Sequence, residues 1–297
     1  SASLVGSEMC IRDSSKASSR GYNLIQGNNL TVTQVHPKTE VVRESHNVGE
    51  AMEDLRRLAE ERLGKTDLDS GLDYGTIAIS KYRKSDGTNS WLVTIPGTDG
   101  KHDSPFGWPQ NVELMSSDSK QRMEADSARM VQEAMKQAGI KSNEPVALIG
   151  HSQGGIVAAT IASDLKDDYD IEHVVTAGSP VANHPIPEKT WVTSVEMDDE
   201  LVAALDGAAN PSSDHWLTVR GTASKSSSNQ ESTFAGTPVT DAPDNKEITH
   251  WLKYHQAAYQ NATDMGSTAV NTHERHFDEI IDGDLQEVMY FEGRMSK

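Results

Sequence analysis

The sequence predicts an α/β fold: a mostly parallel twisted sheet flanked by helices, with an antiparallel hairpin at its start. Three observations lead there. The apolar run "PVALIG" passes directly into a helix of small residues, "GGIVAATIA". Strand-like and helix-like segments then alternate, which requires right-handed crossovers and parallel strands. Earlier, "YGTIAISKYR" and "NSWLVTIPGT" are β-rich runs joined by "KSDGTN", whose Asp86-Gly87 pair signals a hairpin.

Length and composition agree with this class. The chain has 297 residues, enough for one α/β domain of about 200–250 residues with terminal extensions. Residues 1–45 read as a polar, mobile N-terminal extension, and residues 46–297 as a single domain with a core at 74–260. Net charge is −18, from 27 basic and 45 acidic residues. That balance disfavours a nucleic-acid or anionic-membrane surface. A single cysteine, Cys10, excludes an intrachain disulfide framework. There is no apolar run of about 18 residues and no basic-then-apolar leader, so neither a transmembrane segment nor a signal peptide is expected. Compartment and oligomeric state have no signal in the sequence.

Each element follows from local pattern. "VGEAMEDLRRLAEERL" spaces Met52, Leu55, Leu58, Ala59 and Leu63 as one helical face, and Gly64 ends it. "SSDSKQRMEADSARMVQEAMKQAGI" is expected to be a helix capped near Ser117 or Asp118 and stopped by Gly139. Strand "PVALIG", a helix from Gln153 to about Leu165, and strands "IEHVVTAGS", "TWVTSVEM" and "HWLTVRG" follow. A long polar loop leads to the helix "THWLKYHQAAYQNAT". The C-terminal "HFDEIIDGDLQEVMYFEGRM" reads as a peripheral helix and strand.

Chemistry concentrates at Gly150-His151-Ser152-Gln153-Gly154. G-x-S-x-G arises by chance in roughly one chain in ten of this length. Its setting is more specific: a buried-type strand enters and a small-residue helix leaves, the strand–turn–helix of a nucleophile elbow. Ser152 is then the nucleophile. The helix N-terminus aims amide groups and partial positive charge at the reacting centre. Two amides must hold the oxyanion: Gln153 N–H, next to the nucleophile, and Thr98 N–H, after the Gly97 turn of "WLVTIPGTDG".

The base must be a histidine beyond the last strands. His250 in "EITHWLKYH" is placed best and His255, one turn later, is the runner-up. His151 reads as a packing residue and His215 comes too early. His273 and His276 in "HERH" come too late and read as a solvated face rather than metal ligands. The triad acid falls within "SVEMDDELVAALDG", where Asp198, Asp199 and Glu200 stand in a row. No cofactor and no metal is implied. "DLDSGLD" imitates the start of a calcium loop, but Ala78 stands where the twelfth-position glutamate belongs.

"IPGTDG", "GHSQGG", "TAGSPVAN" and "SVEMDDELVAALDG" together resemble α/β hydrolases of the lipase class 3 type, in particular a bacterial branch with "HSQGG" at the elbow. The resemblance runs from Tyr74 to Tyr259 and implies an α/β-hydrolase fold and a Ser-acid-His triad. Aligned on Val202, Leu205, Asp206 and Gly207, the family's aspartate falls on Glu200 and its proline on Ala203. Either Glu200 replaces the aspartate or Asp199 serves after a one-residue adjustment. The implied activity is carboxylic ester hydrolysis on a small-molecule or lipid ester. A hydrolase-fold binding module without turnover and an acyltransferase using the same residues are the alternatives. Phe106 and Trp108 are candidates to line an acyl pocket.

Overall fold

The computed structural model describes residues 28–107, 114, 119–198, 209–225, 231–234, 237–240 and 252–297. In chain order the strands are β1 (Asn29–Val35), β2 (Thr76–Arg83), β3 (Asn89–Ile95), β4 (Pro145–His151), β5 (Asp170–Ala177), β6 (Trp191–Met197), β7 (Trp216–Gly221), β8 (Ala223–Lys225), β9 (Glu231–Phe234), β10 (Thr237–Thr240) and β11 (Asp284–Ser296). The helices are α1 (Val48–Glu61), α2 (Ser119–Glu124), α3 (Asp126–Ala138), α4 (Gln153–Asp164), α5 (Leu252–Asp264) and α6 (Thr268–Ile280). Eight strands form one sheet in the order β1-β11-β2-β3-β4-β5-β6-β7. From β3 to β7 every pairing is parallel, and from β1 to β3 every pairing is antiparallel. The α/β class and the antiparallel start are as the sequence predicts.

Period-two burial on both faces makes the sheet the middle of three layers. On β4, Val146 and Leu148 join the core formed with α3 and α4, while Ala147 and Ile149 join the one formed with α1, α5 and α6. The predicted hairpin is present. Asp86 accepts from Thr88 N at 2.9 Å and Gly87 takes φ 83°, so the turn uses both residues the sequence singles out. Asn47 caps α1 by accepting from Glu50 N at 2.8 Å. Gly139 ends α3 at φ 85°.

Four readings of the sequence change. The helix expected to run unbroken to Gly139 is interrupted at Ala125, whose ψ of 131° separates α2 from α3, and the predicted caps Ser117 and Asp118 lie outside the described residues. Residues 29–45, assigned to the N-terminal extension, contribute an edge strand and core. β1 pairs with β11, Val41 and Val42 are fully buried, and Tyr290 Oη accepts from Val42 N at 2.9 Å. The C-terminal strand is interior rather than peripheral, since β11 lies between β1 and β2 and buries Met289, Tyr290 and Phe291.

The fourth change concerns His273 and His276. His273 is buried, and both pack beneath the N-terminal ends of β5 to β7, the end of the sheet opposite Ser152. Trp191 is sandwiched between the rings of His215 and His276, with centroids at 4.5 and 4.2 Å. His173 Nδ1 faces His276 Nδ1 at 2.9 Å, and His173 Nε2 lies 2.8 Å from Thr193 Oγ1. A hydrogen bond between two imidazole nitrogens needs one of them deprotonated. Burial, then the neighbouring histidines, push His173 well below the usual range, and the same causes lower His276 to about 4. A histidine depressed on folding contributes stability that is complete above the unfolded value of about 6.5 and is lost as pH falls toward the folded value. Thermal unfolding should therefore show a midpoint that drops between pH 6.5 and 4.5. His276→Gln should flatten that drop by about 1–2 kcal/mol, a figure reduced for the partial exposure of His276. An unchanged pH slope in the variant would exclude this role.

Among the described residues no helix is long and apolar enough to cross a membrane.

Candidate active site

β4 lies between β3 and β5 in the parallel part of the sheet, and its last residue, His151, is followed by Ser152 at φ 55° and ψ −120°. That backbone region is strained for any side-chain-bearing residue and is held only where the surroundings enforce it. Here they do. Ser152 N donates to Ala177 O at 2.9 Å on the next strand, and Ser179 Oγ donates to Ser152 O at 2.8 Å. α4 starts at once, with Gly155 N and Ile156 N donating to Ser152 O at 3.1 and 3.2 Å.

The glycines serve close approach. A Cβ on Gly150 would lie 2.3 Å from the Gly154 carbonyl carbon, and one on Gly154 would lie 2.0 Å from Ile95 O. The turn therefore closes on itself and against the end of β3 only without those side chains. Ser152, with 8% of its surface accessible, sits at the C-terminal end of the sheet at the N-terminus of α4.

The loop after β3 lies against this turn. A Cβ on Gly97 would be 2.9 Å from His151 O and 3.2 Å from Ser152 Cβ, so Gly97 passes directly beside the serine, and Thr98 follows it in the chain. Of the residues singled out in the sequence, Ser152 and Gln153 adjoin in this turn, and Thr98 is the chain neighbour of Gly97, which packs against it. The Gln153 side chain, fully buried, fastens the same loop: Nε2 donates to Gly107 O at 2.9 Å.

Two residues overlooked in the sequence hold the loop from behind. Arg62, just past α1, donates from Nη2 to Gly97 O at 2.8 Å and from Nη1 to Asp99 Oδ2 at 3.1 Å. Their side chains are 3% and 0% exposed. Burial lowers the Arg62 guanidinium to about 10 against the supporting charge of Asp99, which leaves it cationic at neutral pH. The signal present in the sequence is the acid inside "PGTDG", a position where a solvated turn residue is the ordinary reading.

The remaining predicted site residues divide. His250, Asp199 and Glu200 lie outside the described residues. Asp198 is exposed at the end of β6, its N–H donating to Gly221 O at 2.7 Å. His255 is on α5, fully buried, with its ring edge-on to His151 at 5.8 Å between centroids. That neighbour immediately precedes Ser152. Phe106 is buried in the core shared with α3 and α4, so it packs there, and Trp108 lies outside the described residues. Among the described residues no cluster of His, Cys, Asp or Glu is arranged to hold a metal ion.

Residues 111–233 match the family model described as the PGAP1-like alpha/beta domain, an α/β hydrolase-type family. The match covers less than half of the chain and includes the Ser152 turn. It supports a general hydrolase relationship, and no finding supports the narrower class 3 lipase branch with "HSQGG". No curated protein and no solved structure matches the chain.

Proposed function

We propose that this protein is a serine hydrolase that cleaves a carboxylic ester through an acyl-enzyme on Ser152. The observation that carries the reading is the positive φ of Ser152 between β4 and α4, in a turn closed by Gly150 and Gly154. In it, strain is spent on presenting one hydroxyl at the positive end of a helix. Similarity to a PGAP1-like alpha/beta domain across the same turn supports it.

In this reading Ser152 Oγ attacks the ester carbonyl while His250 takes its proton. The amides of Gln153 and Thr98 hold the tetrahedral oxyanion, and the protonated histidine returns the proton to the departing alcohol. Water, deprotonated by the same histidine, then releases the acid. Glu200 or Asp199 orients the histidine and stabilises its charged form. The class 3 resemblance of "IPGTDG", "GHSQGG" and "MDDEL" supports a lipase or esterase as the narrower class. His255 is a second candidate base, favoured by its ring contact with His151.

Hydrolysis of a short nitrophenyl ester tests the reading. The intact chain should turn over. Either Glu200→Gln or Asp199→Asn should lower the rate by roughly ten-thousandfold, as loss of a triad acid does elsewhere, while the other acid variant changes it little. His250→Ala should cost as much or more, with His255→Gln near the intact rate. The reverse order of the two histidine variants would move the base to His255. An intact chain that hydrolyses no ester would overturn the function.

A further inference from the structure

We propose that Arg62 and Asp99 are a positioning pair that aims the Thr98 amide at the oxyanion, so that a residue at the end of α1 sets the rate of the Ser152 reaction. This rests on the serine-hydrolase reading of the site. One guanidinium brackets Thr98 from both sides: Nη2 holds the carbonyl of Gly97 at 2.8 Å, and Nη1 holds the carboxylate of Asp99 at 3.1 Å.

Peptide planarity turns this into a direction. In a trans peptide the carbonyl and the following N–H point opposite ways, and no cis peptide is present among the described residues. With Gly97 O drawn toward Arg62, Thr98 N–H points away from it. Gly97 meanwhile touches the other side of the loop's surroundings, where a Cβ would be 3.2 Å from Ser152 Cβ. The loop therefore runs between the guanidinium and the serine, with its carbonyl committed to the first. A charge-assisted bond to that carbonyl also polarises the peptide and strengthens its N–H as a donor.

Asp99 cannot swing to release the clamp. Its Oδ2 also accepts from Gly75 N at 2.9 Å and Ser104 Oγ at 2.7 Å, and its Oδ1 accepts from Lys101 N at 3.0 Å. Fold stability alone is a weak reason for such a pair, because buried ion pairs commonly do no better than apolar side chains of similar volume. Arg62 Nε moreover has no hydrogen-bond partner among the described residues. A donor fixed before the reaction begins is what oxyanion stabilisation requires.

The test compares Arg62→Lys and the apolar double variant Arg62→Met/Asp99→Leu with the intact chain, by kcat and KM on a short nitrophenyl ester and by thermal midpoint. An ammonium reaches one of the two partners but not both. The expected result is a kcat lower by at least tenfold in Arg62→Lys and by about 100- to 1000-fold in the double variant, the loss seen when one oxyanion donor is removed, with KM within about twofold. Guanidinium ion at tens of millimolar should return part of the kcat of Arg62→Ala and leave KM unchanged. Folded variants with the intact kcat, from a parent that turns over, would overturn the inference while the hydrolase reading stands. If the double variant does not fold, Arg62→Lys decides alone. A parent that neither turns over nor reacts with a fluorophosphonate fails the underlying reading instead.

Discussion

Ser152→Ala is expected to lower ester hydrolysis by at least a thousandfold, and by up to about a millionfold, with an unchanged fold. The range follows from serine hydrolases in general, where losing the nucleophile removes all covalent catalysis and leaves only what the oxyanion donors and binding supply. The fold should survive for a local reason. Backbone groups hold the turn, with Ser152 N on Ala177 O and Ser152 O taking bonds from Ser179 Oγ and α4, and alanine keeps all of them. Alanine tolerates the positive φ no better than serine, so stability should change by a few tenths of a kcal/mol at most. The checks are the steady-state rate and the thermal midpoint, measured on one preparation.

The second large effect is structural. Gly154→Ala places a methyl group 2.0 Å from Ile95 O and 2.5 Å from Pro96 O, both backbone atoms that cannot rotate aside. Either the elbow opens or the end of β3 moves, and both outcomes displace Ser152 from the loop that carries Thr98. Overpacking of this severity should cost about 3 kcal/mol or more, roughly a 6–12 °C fall in midpoint for a domain of this size. Activity should be lost even below that midpoint. Gly49→Ala is the control, because its new methyl group meets only Asn47 Oδ1 at 3.4 Å and should leave both quantities within error.

The elbow and its glycines were legible because their signals are local. Seven apolar-rich strand residues, a serine and a run of small helix residues are contiguous, and one conformation satisfies them together. The hairpin at Asp86-Gly87 and the helix stop at Gly139 are local in the same sense. What escaped depends on distant partners. Asp99 reads as a solvated turn acid until Arg62, 37 positions upstream, is known to lie under it. β11 looked peripheral because its burial alternates only weakly over its first half, and its neighbours β1 and β2 come from the opposite end of the chain. His273 and His276 fit a polar helix face, and only the packing of Trp191 and His173 against them shows otherwise. The acid remains the least local member: Asp198 follows a strand two places from β4, and the rate measurements above decide between Asp199 and Glu200.

An activated nucleophile at Ser152 reacts covalently with an electrophilic probe. The intact protein is treated with a fluorophosphonate and digested, and the adduct is mapped by mass spectrometry. One adduct per chain is expected, on the peptide that carries Ser152, and none in Ser152→Ala. A folded protein that takes up no adduct at Ser152, or that is labelled equally when Ser152 is replaced, would contradict an activated nucleophile there.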